Sequence, residues 1–73
     1  MKKTFKLRDL DCANCAAKME AAIAKLPEVQ SVRVNFMQQK MTLEAPDASF
    51  DAVLDAAVKC IAKVEPDCEV VLK

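Results

Sequence analysis

The sequence predicts an α+β fold in which four antiparallel strands form one sheet and two helices cover a single face of it. Three observations predict it. Four short stretches alternate apolar with polar residues, the period of a half-buried strand. Two longer stretches repeat apolar residues at helical spacing. The stretches follow one another as strand, helix, strand, strand, helix, strand, the order of a split βαβ plan.

The first strand runs from Lys3 to Arg8, with Phe5 and Leu7 on one face and Thr4, Lys6 and Arg8 on the other. A short loop holding two cysteines leads to a helix that opens near Asn14. Ala16, Met19, Ile23 and Leu26 make its apolar stripe, and Lys18, Glu20 and Lys25 its polar side. Leu26-Pro27 ends it, because the residue before proline is driven out of helical geometry. Val29 to Phe36 alternates again with Val32, Val34 and Phe36 inward. A turn over Asn35 to Gln38 then returns the chain along Lys40 to Glu44, with Met41 and Leu43 inward. Past Pro46, either Asp47 or Ser49 is placed to cap the second helix, with Asp51 in its first turn. Phe50, Val53, Leu54, Ala57, Ile61 and Val64 form its stripe, and Glu65-Pro66-Asp67 stops it. Cys68 to Lys73 is the last strand, with Val70 and Leu72 inward. Together these elements describe a ferredoxin-like βαββαβ sandwich spanning residues 1–73 as one domain. The chain has no glycine, so residues with a Cβ must shape the loops near Asp9 and Asn35.

Composition narrows the function. Hydrophobic residues make up 53% of the 73, enough for a core in a chain near the lower size limit for folding without staples. Formal net charge is zero, which offers no overall attraction to nucleic acid or an anionic membrane. No apolar run approaches the ~20 residues of a membrane helix. Met1-Lys2-Lys3 leads into alternating charged residues rather than an apolar leader core. The expectation is a cytoplasmic domain without direct membrane insertion. In that setting the four cysteines are read as thiols rather than as two disulfides.

The chemistry concentrates in Asp11-Cys12-Ala13-Asn14-Cys15. Two residues between the thiols let both sulfurs turn toward one point across a tight loop. The start of the following helix supplies unpaired N–H groups and a positive dipole end that favour thiolate. Soft sulfur selects zinc, Cu(I) and other thiophilic ions. A closed structural zinc site needs four protein ligands, and the chain has no histidine and no second Cys-x-x-Cys. A partly open pincer suits transfer, since incoming ligands can attach before the first ones leave. Asp11 offers a third, harder donor, which favours a divalent ion over Cu(I). Its bland counterpart is a helix cap without metal contact. Cys-x-x-Cys also serves dithiol oxidoreductases, but no tryptophan precedes the pair and the strand order is not that of thioredoxins. A structural or storage module is a third reading. Cys60 and Cys68 are expected in packing roles, Met19 and Met41 in the core, and Met37 in a turn.

With motif and fold in place, the whole chain resembles the heavy-metal-associated domains, which occur as free metallochaperones and as N-terminal domains of metal-transporting P-type ATPases. The family's usual Gly-Met-x-Cys-x-x-Cys is represented by Asp9-Leu10-Asp11-Cys12-Ala13-Asn14-Cys15, with Asp9 where glycine is usual. The resemblance implies Cys12 and Cys15 as metal ligands. Leu10-Asp11-Cys12-Ala13-Asn14-Cys15-Ala16-Ala17 looks like the cadmium, zinc and lead exporters, which implies Asp11 as a third ligand. Val64-Glu65-Pro66-Asp67-Cys68 also looks like that branch. The fold returns this segment to the metal end, where Glu65 is the first choice of supplementary ligand, ahead of Asp67 and Cys68. The expected cargo is zinc or cadmium, with lead next and copper(I) as the alternative. The expected partners are the membrane-embedded or cytoplasmic domains of a P-type ATPase, or a second copy sharing one ion. The domain itself is expected to perform no bond-making catalysis.

Overall fold

A computed structural model describes residues 1–72. Strand β1 (Lys2–Arg8) leads to helix α1 (Ala13–Ala24), then β2 (Ser31–Asn35), β3 (Lys40–Glu44), helix α2 (Phe50–Val64) and β4 (Glu69–Val71). The sheet order is β2-β3-β1-β4 and every neighbouring pair is antiparallel, with the helices on one face: the ferredoxin-like sandwich. Register follows the alternation. Phe5 lies opposite Met41, Leu7 opposite Val70, and Val34 opposite Met41, so inward residues align in rows beneath the helices.

Met19 and Ile23 of α1, Met41 and Leu43 of β3, and Ala57 and Ile61 of α2 are almost wholly removed from water. Phe5 and Phe50 stack with centroids 6.4 Å apart, tying β1 to the start of α2. No polar or charged residue is buried among those described, so the core is held by apolar packing alone.

Several expectations are corrected in detail. Helix α1 begins one residue earlier than the pattern indicated and is capped by Cys12, leaving Asp11 outside it. It also ends at Ala24, with Lys25 as its cap residue and Leu26 half-buried in the turn before Pro27. Neither Asp47 nor Ser49 caps α2 through its side chain; Asp47–Ser49 forms a 3-10 turn that runs directly into the helix. Leu72 is not inward. It lies past the three-residue β4, which pairs only with β1, and is 60% exposed. Left-handed backbone falls at Asp9 (φ 60°), Glu28 (φ 73°) and Gln39 (φ 55°), so the β2–β3 turn takes its positive φ at its last residue and not near Asn35.

Antiparallel pairing decides where the chemistry sits. The end of β1 lies beside the starts of β3 and β4, so three connections gather on one rim. They are the cysteine loop 9–12, the turn 36–39 and the loop 65–68.

Candidate metal centre

Cys12 occupies the N-cap of α1 in an extended conformation (φ −138°, ψ 122°), and its Sγ accepts the Cys15 N–H at 3.3 Å. Sulfur thus does what a serine or aspartate oxygen does at most helix starts. One turn in, Cys15 is also half-buried, and its Sγ donates to Glu65 Oε2 at 3.8 Å, a long thiol–carboxylate contact that crosses from α1 to the end of α2. Glu65 Oε1 in turn accepts the Asp67 N–H at 3.4 Å, and the Glu65 carbonyl accepts the Cys68 N–H at 3.0 Å. The carboxylate is therefore anchored by its own turn while facing the thiols.

The two thiols differ electrostatically. Hydrogen bonds from the Cys15 side chain and then its backbone N–H hold the Cys12 pKa below the usual 9.0. The same side-chain bond raises the pKa of Cys15, with desolvation and the negative charges of Cys12 and Glu65 adding to it. Of the two thiols, Cys12 therefore gives up its proton more readily and Cys15 less readily. Cys68 is buried and its pKa is raised, first by that burial and then by Glu65, Asp9 and Asp11. Three carboxylates thus converge electrostatically on this rim.

The structure brings Cys12, Cys15 and Glu65 together and leaves Asp11 exposed on the loop just ahead of the cap. Among the described residues, no three His, Cys, Asp or Glu side chains are already arranged around a common cation position. Cys60 is half-buried on α2, Met19 and Met41 are in the core, and Met37 is exposed in the β2–β3 turn. All four cysteines are free.

Gln39 escaped the sequence reading. Its side chain accepts the Leu10 N–H at 3.1 Å and donates to the Leu10 carbonyl at 2.6 Å and the Phe36 carbonyl at 3.0 Å. Its own carbonyl accepts the Leu7 N–H at 2.7 Å. The β2–β3 turn thereby clamps the cysteine loop two residues before Cys12. A left-handed site in a chain without glycine was the available signal, but nothing distinguished Gln39 from Gln38.

The fold and this rim define a small ferredoxin-like domain that carries a pair of free cysteines at a helix start. Residues 4–66 match the heavy-metal-associated domain, and the chain belongs to that family. It is 36% identical over 56 residues to a zinc/cadmium/lead-transporting P-type ATPase of Shigella sonnei, a match covering 77% of the chain and 8% of that protein. It is 37% identical over 55 residues to a probable copper-transporting ATPase, PacS, of Synechocystis, covering 75% of the chain and 7% of the relative. The chain therefore spans under a tenth of the ATPases it matches. Among solved structures it superposes on the apo N-terminal domain of the copper(I) ATPase PacS with a TM-score of 0.75 and 28% identity, covering 100% of the chain and 94% of that domain. Likeness to the two transporter branches is nearly equal, so the chemistry of the rim has to distinguish them. Among the described residues, no helix is long and apolar enough to cross a membrane.

Proposed function

We propose that this domain binds zinc, cadmium or lead through Cys12 and Cys15 and hands the ion on, or signals its presence, as the N-terminal domain of a heavy-metal-exporting P-type ATPase. In this reading the domain faces the cytoplasm and leaves ATP hydrolysis to other domains. The observation that carries it is the Glu65 carboxylate 3.8 Å from Cys15 Sγ. Two thiolates already outweigh the single charge of Cu(I), which is satisfied by sulfur alone. Adding a carboxylate gives a mixed sulfur–oxygen set suited to a borderline divalent ion.

Binding begins at Cys12, whose pKa is lowered and which deprotonates more readily than Cys15. Cys15 then gives up its proton as the cation replaces it, and Glu65 turns from accepting that thiol to donating an oxygen. Asp11, exposed on the loop, adds negative charge and a further donor. Two cysteines at a helix start and one or two carboxylates leave room for a ligand from the transporter, or from a second copy of the domain, to enter before Cys12 and Cys15 release. That is the requirement for exchange without a free ion.

Competitive titration with zinc, cadmium, lead and Cu(I) under reducing conditions tests the proposal. Glu65→Gln is expected to weaken the divalent ions about tenfold or more and Cu(I) hardly at all. Asp11→Ala should act in the same direction. An equal loss for both classes, or unchanged zinc and cadmium binding after both cysteines become serine, overturns it. A copper(I) domain is the second reading, favoured by the likeness to PacS. It predicts that Cu(I) outcompetes every divalent ion in Glu65→Gln and in the parent protein alike.

A further inference from the structure

The chain's charges balance in total but not by face. On the sheet surface opposite the helices, β1, β2 and β3 present Lys2, Lys6, Arg8, Arg33 and Lys40, all exposed; Glu44 lies opposite Lys2 and Glu69 opposite Arg8, which leaves Lys6, Arg33 and Lys40 without a cross-strand carboxylate. Lys6 and Lys40 are direct cross-strand partners. Like charges so placed oppose sheet formation. Among the described residues, none of the five cations has a carboxylate within ion-pairing distance; the ion pairs found are Met1 with Asp47 and Lys59 with Asp55. Glu44 is instead engaged by the Ser31 hydroxyl at 3.2 Å. The two central strands thus carry an unrelieved repulsion at the cysteine end of their ladder, which an external anion would remove.

We infer that this open sheet face rests on the headgroups of an anionic phospholipid bilayer. The side chains between the cations are Thr4, Thr42, Ser31 and Asn35, with half-buried Val71 beside Lys6. Among the described residues, no aromatic or long apolar side chain projects from the middle of the face to anchor a protein partner, as interface hot spots require. A plane of diffuse negative charge needs no such anchor and gains from each nearby cation separately. Docked this way, the domain turns both helices toward the aqueous phase. Cys12 and Cys15 remain at the rim, reachable from solution. The inference is independent of the metal assigned above.

Sedimentation with vesicles of phosphatidylcholine, with and without phosphatidylserine, tests it. The protein should bind only the serine-containing vesicles and release them as salt rises. Lys6→Gln/Lys40→Gln should weaken that binding about 30-fold, at roughly 1 kcal/mol for each cation near the surface. The same variant should melt no lower than the parent, since it removes the opposed charges. That separates a docking role from a structural one. Lys25→Gln/Lys59→Gln, at the C-cap of α1 and on α2, should leave binding unchanged. Failure of the parent protein to bind serine-containing vesicles overturns the inference, as does an equal loss in the helix variant. Capture on immobilised polyglutamate without vesicle binding also overturns it and assigns the face to an acidic protein.

Discussion

Replacing Gln39 by alanine should release the cysteine loop from the β2–β3 turn. The side chain makes three hydrogen bonds, at 2.6, 3.0 and 3.1 Å, and two of them hold both backbone polar groups of Leu10. Leu10 is only 2% exposed, so its N–H and C=O do not readily find water instead. At about 1 kcal/mol for each bond, the loss is about 2–3 kcal/mol. For a domain of this size that corresponds to a melting point lower by roughly 10–20 °C. Gln39 also sits at φ 55°, where any residue with a Cβ is strained. Gln39→Gly therefore loses the same bonds but recovers about 1 kcal/mol of backbone strain, and should fall between the parent and the alanine variant. Urea unfolding of the three proteins measures the order. Hydrogen exchange at the Leu10 amide should accelerate far more than at Leu43 in the core. A loss below about 0.5 kcal/mol for alanine refutes the clamp, and glycine no better than alanine refutes the strain at residue 39.

Asp9 takes φ 60° at the position where the family usually has glycine. Asp9→Gly should raise the urea midpoint by about 0.5 kcal/mol in stability, and Asp9→Val should lower it by about 1–2 kcal/mol. Alkylation against pH should find Cys12 reacting first as pH rises and Cys15 later, since their pKa values lie on opposite sides of 9.0. Glu65→Gln removes a charge that raises the pKa of Cys15, so Cys15 should then react at lower pH. The two thiols pull stability in opposite directions. Cys12 favours the folded state above its unfolded pKa and loses that contribution as pH falls, whereas Cys15 favours it below and loses it as pH rises. Reactivity is therefore the better measurement of the pair than a melting curve.

Periodicity carried most of the fold. Strand β3 is found at Lys40–Glu44 as read, because clean alternation follows a turn whose residues could not extend it. The stripe of α2 was equally legible, with Phe50, Val53, Ala57 and Ile61 all buried. Ends were harder. Leu72 continued an alternating pattern, but alternation does not say where pairing stops, and β4 has a partner only along β1. Cys12 as a cap went unread because cysteine is not among the usual capping residues. At the site, topology was enough to bring residue 65 to the metal end, and Glu65 is the member of its loop that meets Cys15. The Leu10 clamp and the opposed lysines depend on register and on one side chain's rotamer, neither of which a single sequence displays.

The gathering of three connections on one rim has an evolutionary consequence. Of the loop residues on that rim only Leu10 and Cys68 are buried, whereas Met19, Ile23, Met41 and Ile61 do most of the packing in the interior. Cargo preference can therefore drift by exchanging a handful of rim residues while the scaffold beneath stays intact. Near-equal kinship to ATPases that transport different metals is what such a separation between chassis and cargo hold should produce.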